Sequence, residues 1–193
     1  MRKLTYLTLV LLVAVLSGCG PSREKSAGNI DGLEKRLFSP QSTGFDQIKA
    51  DSLLAAYESY VKRFPDDSLS MKFSFKAANL AMNLGNSAKA IELFEKFMEK
   101  YPDSPKASVS MFFKAYIYEN QLKNLDKAKE LYLQFIEKYP NSDFSDDARV
   151  ALENLGKSPE QMVREFEERQ RADSIRIADS LAALKLAKKP RKK

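Results

Sequence analysis

The chain has 193 residues, with 32 Lys and Arg against 26 Asp and Glu, one Cys and no His or Trp. One Cys excludes an intrachain disulfide, and without His the chain cannot form a Cys/His zinc site or a triad that uses His as its base. The phosphate-binding patterns G-x-x-x-x-G-K-[ST] and G-x-G-x-x-G are missing from the sequence. The composition therefore argues against a conventional enzyme, and we expect no cofactor, no metal and no small-molecule substrate.

Residues 1–18 have the pattern of an export signal. Arg2 and Lys3 precede an apolar segment, residues 4–16, that is shorter than the roughly 20 residues needed to span a bilayer. The segment runs into L-S-G-C, which ends at Cys19 and resembles the bacterial lipobox. In that family the signal is cut before the Cys, which is then acylated, so the resemblance implies lipidation of Cys19. The alternative is an ordinary cleaved signal with an incidental Cys.

The residue after Cys19 bears on the membrane that carries the anchor. It is Gly20 rather than Asp, and in the enterobacterial sorting pattern, which this sequence resembles, the lack of Asp favours the outer membrane. Acyl chains anchor firmly, because each buried methylene contributes about 0.8 kcal/mol. We therefore expect the mature protein on the outer membrane, facing the periplasm. Other bacterial phyla sort differently, and the choice of leaflet stays open.

The net positive charge is concentrated near the C-terminus. Residues 160–193 hold ten Lys and Arg and six Asp and Glu, and without the signal the rest of the chain has 20 residues of each sign. A neutral body behind an export signal argues against nucleic acid as a partner.

A tether is predicted over residues 19–44. Gly20–Gly28 is small and polar, which is typical of a flexible linker, and Ser39–Gly44 is a second break. Between them Ile30–Phe38 has the pattern of a short helix. The repeat domain described next is predicted over residues 45–158.

The body of the chain repeats itself. Residues 90–102 (A-I-E-L-F-E-K-F-M-E-K-Y-P) and 128–140 (A-K-E-L-Y-L-Q-F-I-E-K-Y-P) are 38 residues apart. Internal periods of 20–50 residues indicate stacked structural repeats. In each copy the apolar residues share one helical face, and a second helix is predicted before each copy, over 69–84 and 106–122. The predicted fold class is therefore all-α.

The spacing of small and aromatic residues is similar to that of the tetratricopeptide repeat. Counted from Met71, the small, aromatic and closing Pro positions of that family fall on a set of residues in this chain: Ala78, Gly85, Ala90, Phe94 and Pro102. The second copy departs from the small positions at Tyr116 and Lys123. The resemblance covers residues 45–157 and implies a stack of antiparallel helix pairs. With the lipobox and the Y-P-D-S loop, it extends to the lipid-anchored tetratricopeptide component of the outer-membrane β-barrel assembly machinery.

This resemblance also implies a groove on the first helix of each pair that accepts an extended or helical peptide. The family's ligand-facing positions map onto eight residues: Lys72, Phe75, Asn79, Met82, Ser110, Phe113, Ile117 and Asn120. The alternative is that Phe75 and Phe113 belong to the core.

Residues 159–193 are predicted to form a long helix, to about Lys189, with a basic tail. One interpretation is a helix that caps the last repeat and ends in a solvated tail. The alternatives are docking to a partner helix and contact of the basic end with an anionic surface such as phospholipid head groups or cell wall.

The expected function is that of a non-enzymatic scaffold for other envelope proteins, with β-barrel assembly components as the candidate partners. This function would make the protein an accessory to outer-membrane protein assembly. The alternative is a tetratricopeptide coordinator of peptidoglycan synthesis or cell division. A hydrolase is disfavoured, because the S-x-x-K matches at Ser22 and Ser59 lack the accompanying S-D-N and K-T-G motifs.

Overall fold

The computed structural model describes residues 20–39 and 46–187, with the backbone alone for residues 185–187, and the described part contains helices and no strands. The predicted signal peptide, Cys19 and the end of the basic tail lie outside the described residues. The helices are α1 (Arg23–Leu37), α2 (Gln47–Arg63), α3 (Ser68–Asn83), α4 (Ser87–Lys100), α5 (Pro105–Asn120), α6 (Leu125–Lys138), α7 (Ser145–Asn154) and α8 (Pro159–Ala187).

The helices stack in chain order. Each of the first seven helices packs on its neighbour in sequence, and α3 also contacts α5. Helices α3 and α4 form one repeat pair, and α5 and α6 form the next. Contact between α3 and α5, the first helices of these two pairs, places both on the inner side of the stack, as in superhelical repeat proteins. The prediction of an all-α, tetratricopeptide-like stack with a long C-terminal helix is confirmed.

The loops between pairs share one turn. The carbonyls of Phe64, Tyr101 and Tyr139 each accept a hydrogen bond from the backbone N–H three residues later, at 3.0, 3.1 and 3.1 Å. The next helix then starts with a side-chain cap in two of the three cases, from Asp67 to α3 and from Ser104 to α5. The sequence repeat is therefore a repeat of backbone geometry.

Two hydrophobic clusters form the core. One lies among α1–α4 and includes Ile117, and the other lies among α5–α7. The adjacent rings of Phe112 and Phe113 connect them, since Phe113 packs on Phe94 at a centroid distance of 5.8 Å and Phe112 packs on Phe135 at 5.8 Å. The helix pairs are thus joined through continuous aromatic contacts.

The flexible linker expected over Gly20–Gly28 differs from the structure, in which α1 begins at Arg23. Ser22 caps this helix, and Ile30 and Leu37 are buried against the body. The composition of the segment is too polar to signal a helix by itself, and packing on α2 stabilises the helical form. The domain boundaries stay a prediction.

Candidate protein-binding surface

The eight predicted groove residues lie on α3 and α5, the first helices of two successive pairs. Four of them are buried, namely Phe75, Met82, Ser110 and Ile117. The other four are exposed or partly exposed, namely Lys72, Asn79, Phe113 and Asn120. The structure therefore divides the predicted set between the core and the surface.

Phe75 fills the space between α3 and α4. Its ring lies 6.1 Å from the ring of Phe94 and 5.4 Å from that of Phe97, between centroids. The ammonium group of Lys106 lies 4.3 Å from the centroid of the Phe75 ring, a cation–π distance. Contact between Phe75 and a ligand would first require movement of the Lys106 side chain.

The predicted amide groups bond to their own helices. Asn79 Nδ2 donates to the carbonyl of Phe75 at 3.1 Å, and Asn120 Nδ2 donates to the carbonyl of Tyr116 at 3.2 Å. Within the described residues, the amide oxygen of each of these two side chains accepts no hydrogen bond. Lys72 makes no hydrogen bond or ion pair within the described part of the chain.

A cavity of 480 Å³ opens between α3 and α5. It is lined by Met82, Asn83, Phe112, Phe113, Tyr116 and Gln121. Two of these residues, Met82 and Phe113, belong to the predicted groove. We call this cavity the α3/α5 pocket. Since it lies between first helices, it is on the side where helix-pair repeats usually bind peptides.

Hydrogen bonds hold one wall of the α3/α5 pocket in place. Gln121 Nε2 donates to the carbonyl of Met82 at 2.8 Å, and Ser87 Oγ donates to Gln121 Oε1 at 2.7 Å. These bonds tie the end of α5 to the end of α3 and the start of α4. The pocket is therefore formed in the free protein, which lowers the entropic cost of binding.

The lining combines an apolar floor with a polar mouth. Phe112 and Phe113 are half-buried, whereas Tyr116 is 41% exposed at the edge. The amide of Asn83 is exposed and has no hydrogen-bond partner among the described residues. Such a site suits an apolar side chain of an extended polypeptide, with an amide free to bond its backbone.

Four residues that line the α3/α5 pocket lie outside the predicted groove set, namely Asn83, Phe112, Tyr116 and Gln121. One signal was present for Tyr116, since it is a large residue at a position where the family has a small one. The other three carry no signal in a single sequence, because their roles follow from how α3 and α5 cross.

A second cavity, of 700 Å³, lies between α2 and α4 above α3. Its apolar lining includes Val61, Ala77 and Leu93, and charged side chains of both signs also line it. One of these, Glu58, accepts a hydrogen bond from Lys89 at 3.0 Å. The mixture of signs gives this cavity no preference for a charged ligand.

Two carboxylates tie α1 to the repeats. Glu34 accepts hydrogen bonds from Tyr57 at 2.6 Å and from Lys76 at 2.8 Å. Partial burial raises the pKa of Glu34, but the bonds from Lys76 and Tyr57 outweigh it, and the pKa lies below its usual value. Burial, together with the bond to Glu34, raises the pKa of Tyr57.

The second carboxylate is Asp67, at the start of α3. It bonds to the Arg23 guanidinium, accepts the backbone N–H of Leu69 at 2.9 Å and accepts the Tyr60 hydroxyl at 2.8 Å. These bonds, the one from Arg23 first, lower the pKa of Asp67 to about 2 from its usual value of 3.8. The carboxylate links α1, α2 and α3 in its charged form.

The stacked helix pairs and the pocket between first helices define a helix-pair repeat protein of the tetratricopeptide type. Residues 41–172 match the family model of YfiO, described as an outer membrane lipoprotein, and the chain belongs to this family. The resemblance inferred from the repeats and the lipobox is thereby confirmed. A comparison with curated proteins gave no match. Within residues 20–39 and 46–187, no helix has both the length and the hydropathy to cross a membrane.

Proposed function

We propose that the protein is a non-enzymatic scaffold of the bacterial envelope that holds extended segments of other envelope proteins in the α3/α5 pocket. The observation that carries this proposal is the pocket itself, an apolar cavity of 480 Å³. At its mouth lies the amide of Asn83, which has no hydrogen-bond partner among the described residues. Membership of an outer membrane lipoprotein family supports the location. Cys19 is the proposed lipid-bearing residue.

The proposed process is outer-membrane protein assembly, in which the protein acts as an accessory component. Strands of outer-membrane barrels alternate apolar and polar residues and carry aromatic residues near both membrane surfaces. An unfolded strand of this kind presents an apolar side chain at every second residue. The floor of Phe112 and Phe113 suits one such side chain, and the amide of Asn83 suits the backbone beside it.

Two exposed residues allow the proposal to be tested without disturbing the core. Tyr116→Ala removes the aromatic edge of the pocket, and Asn83→Arg places a bulky cation at its mouth. Leu133→Ala is the matched control, because Leu133 is 51% exposed on α6, the second helix of the same pair. We expect the double variant Asn83→Arg, Tyr116→Ala to lower the amount of assembled outer-membrane proteins in cells, and the control to leave it unchanged.

The outcome separates the candidate processes. Unchanged outer-membrane protein levels in the double variant, with the protein present at normal abundance, would remove the assembly role. A defect confined to cell-wall synthesis or division would favour the alternative, a coordinator of peptidoglycan synthesis or division. Turnover of wall fragments by the pure protein would contradict the non-enzymatic assignment.

A further inference from the structure

A small cavity lies between the start of α1 and the end of α2. Its volume is 210 Å³, and its lining comes from both helices and from the segment before α1. The described residues that line it are Pro21, Lys25, Ser26, Asn29, Ala56, Ser59, Tyr60 and Arg63. We call this cavity the α1/α2 pocket. It shares no described lining residue with the α3/α5 pocket.

The lining of the α1/α2 pocket is basic. Lys25 and Arg63 carry positive charges, and none of the described residues that line the pocket is acidic. The ammonium group of Lys25 makes no hydrogen bond or ion pair within the described part of the chain. Arg63 Nη2 donates to the carbonyl of Pro21 at 2.9 Å, a neutral acceptor that does not compensate the charge of the guanidinium. Two such cations in one pocket favour an anionic ligand.

Two carboxylates near the α1/α2 pocket are paired with a third cation, Arg23. The Tyr60 hydroxyl donates to Asp67 at 2.8 Å, and the Asp67 carboxylate forms an ion pair with Arg23. Glu24 lies 3.8 Å from Arg23, and its side chain is 75% exposed. Since neither carboxylate lines the pocket, the charge of the lining stays positive.

Neutral hydrogen-bond donors complete the lining. Ser26 and Ser59 supply hydroxyls and Asn29 supplies an amide, and these groups have no hydrogen-bond partner within the described residues. The Arg63 guanidinium has five N–H donors, so donors remain beside the one that bonds Pro21. A phosphodiester has four oxygens and a carboxylate has two. A lining with donors on two helices therefore suits a phosphodiester better than a carboxylate.

The α1/α2 pocket adjoins the point where the lipid would be attached. Cys19, the proposed lipid-bearing residue, is two residues before Pro21, so covalent geometry keeps their Cα atoms within about 7.6 Å of each other. Arg63 holds the carbonyl of Pro21, and a Cβ atom at Gly20 would overlap the Arg63 guanidinium. The chain next to the anchor therefore lies against the pocket. Acyl chains on Cys19 would enter the bilayer here, which brings phospholipid head groups to the pocket.

We propose that the α1/α2 pocket binds the phosphodiester of a phospholipid head group in the membrane that carries the acyl anchor. Lys25 and Arg63 attract the phosphate, and the hydroxyls and the amide donate to its oxygens. The inference rests on one part of the proposed function, the lipidation of Cys19, because the anchor makes binding of the head group a local event and a weak site is then sufficient. Binding would hold the first helices of the stack against the membrane surface.

An NMR titration of the unacylated chain tests the pocket without the anchor. Residues 19–193 with Cys19→Ser are titrated at low salt with dihexanoylphosphatidylglycerol, below the concentration at which it forms micelles, and separately with inorganic phosphate. We expect the lipid to shift the backbone amide signals of residues 22–29 and 56–63. No shift of these signals would overturn the proposal. Binding of inorganic phosphate without binding of the lipid would also overturn it, because the site would then be one for free phosphate.

A carboxylate placed in the pocket should repel the phosphate. Ser59→Glu should weaken binding of dihexanoylphosphatidylglycerol at least tenfold, and it keeps both Arg63 and its acceptor Pro21. Ser52→Glu is the matched control, because Ser52 is also an exposed serine of α2 and lies seven residues earlier, outside the pocket. The amide spectrum of each variant shows whether the fold is kept. Equal weakening by the two substitutions would overturn the proposal.

Removal of the two cations tests them directly. Lys25→Gln with Arg63→Gln should also weaken binding of the lipid at least tenfold. Arg36→Gln with Lys49→Gln is the matched control, since it removes two positive charges from the opposite ends of the same two helices. The same weakening in both double variants would mean that the lipid is attracted by net charge alone, and would overturn the proposal.

Photocrosslinking in intact cells tests the source of the phosphate in the mature protein. With a photoreactive amino acid at position 59, mass spectrometry should find a phospholipid adduct, and with the same amino acid at position 52 it should find none. The mass of the N-terminal peptide shows separately whether Cys19 is acylated. An acylated chain without an adduct at position 59 would overturn the proposal. An unacylated chain that still binds dihexanoylphosphatidylglycerol at the α1/α2 pocket would support the pocket and remove the proposed lipidation.

Discussion

The pairs α3/α4 and α5/α6 share a repeat of 38 residues but differ in what they expose. Ala78 of the first pair is completely buried, and its counterpart in the second pair, Tyr116, is 41% exposed beside the α3/α5 pocket. The two pairs therefore share a backbone pattern, but matching positions differ in size and in exposure. Function in such a stack can arise from departures from the repeat pattern.

A second difference involves two positions that change together. In the first pair Phe94 and Ala81 are both buried, and both belong to the same hydrophobic cluster. In the second pair the matching residues are Tyr132 and Glu119, and the tyrosine hydroxyl donates to Glu119 Oε2 at 2.8 Å. The second helix pair therefore has a tyrosine together with its hydrogen-bond acceptor, because a buried hydroxyl without a partner would lower the stability.

The largest effect on stability is expected from removing a buried phenyl ring in either helix pair. Phe97 and Phe135 occupy matching positions, and both are almost completely buried. Phe97→Ala and Phe135→Ala should each lower the free energy of unfolding by about 3–5 kcal/mol, measured by urea denaturation. Leu133→Ala, on the exposed face of α6, should change it by less than about 0.5 kcal/mol. A loss below about 1 kcal/mol for either Phe variant would show that the two pairs do not pack alike.

The next largest effect on stability is expected from breaking the hydrogen bond between Tyr132 and Glu119. Glu119→Ala should lower the free energy of unfolding by about 1–3 kcal/mol, because it leaves the hydroxyl of Tyr132 without its hydrogen-bond acceptor. In a Tyr132→Phe background the same change should cost much less, and a double-mutant cycle in urea measures the difference. Equal costs in both backgrounds would mean that the hydrogen bond contributes nothing to stability.

A smaller effect is expected at the turns inside the pairs. Gly85 and Lys123 occupy matching positions, with φ of 71° and 54°, in the left-handed region that favours glycine. Lys123→Gly should raise the free energy of unfolding by about 0.5–1 kcal/mol, and Gly85→Ala should lower it by about 1 kcal/mol. Thermal unfolding of the two variants checks both signs, and destabilisation by Lys123→Gly would show that the lysine side chain outweighs the backbone strain.

The smallest effect concerns the caps of α3 and α5, which are the charged Asp67 and the neutral Ser104. A carboxyl whose pKa is lowered on folding stabilises the protein above its unfolded pKa, and this stabilisation is lost as pH falls through the folded pKa. With values of 3.8 and about 2 for Asp67, the loss should occur between about pH 4 and pH 2.

Urea denaturation at a series of pH values measures how much the charged Asp67 carboxylate stabilises the protein. Asp67→Asn should be less stable than the wild type at pH 6, and the difference should shrink as pH approaches 2. Asp66→Asn is the control, because the Asp66 carboxyl makes no hydrogen bond or ion pair in the described residues. A constant difference at all pH values would assign the role of Asp67 to something other than its charge.

Much of the fold was accessible from the sequence. The period placed helices over 69–84 and 106–122, and the structure has α3 at Ser68–Asn83 and α5 at Pro105–Asn120. The start of α1 was missed, because packing on α2 and the bonds of Glu34 stabilise it rather than any local pattern. Tertiary contacts of this kind leave little trace in composition.

The site was accessible only in part. The family positions lie on α3 and α5, the two helices beside the α3/α5 pocket, but four of the eight residues are buried. Phe75 is one example, since its ring is enclosed by α4 and covered by Lys106. Which face of a helix stays open depends on the crossing of its neighbours, and a single sequence does not encode that crossing in a readable pattern.

We propose above that the α3/α5 pocket binds extended envelope polypeptides, and photocrosslinking in cells tests this binding. The most direct measurement places a photoreactive amino acid at position 116 in one strain and at position 133 in another, and identifies the crosslinked proteins by mass spectrometry after illumination of intact cells. We expect unfolded outer-membrane proteins attached at position 116 and few or none at position 133. The same set of proteins at both positions, or none at position 116, would contradict it.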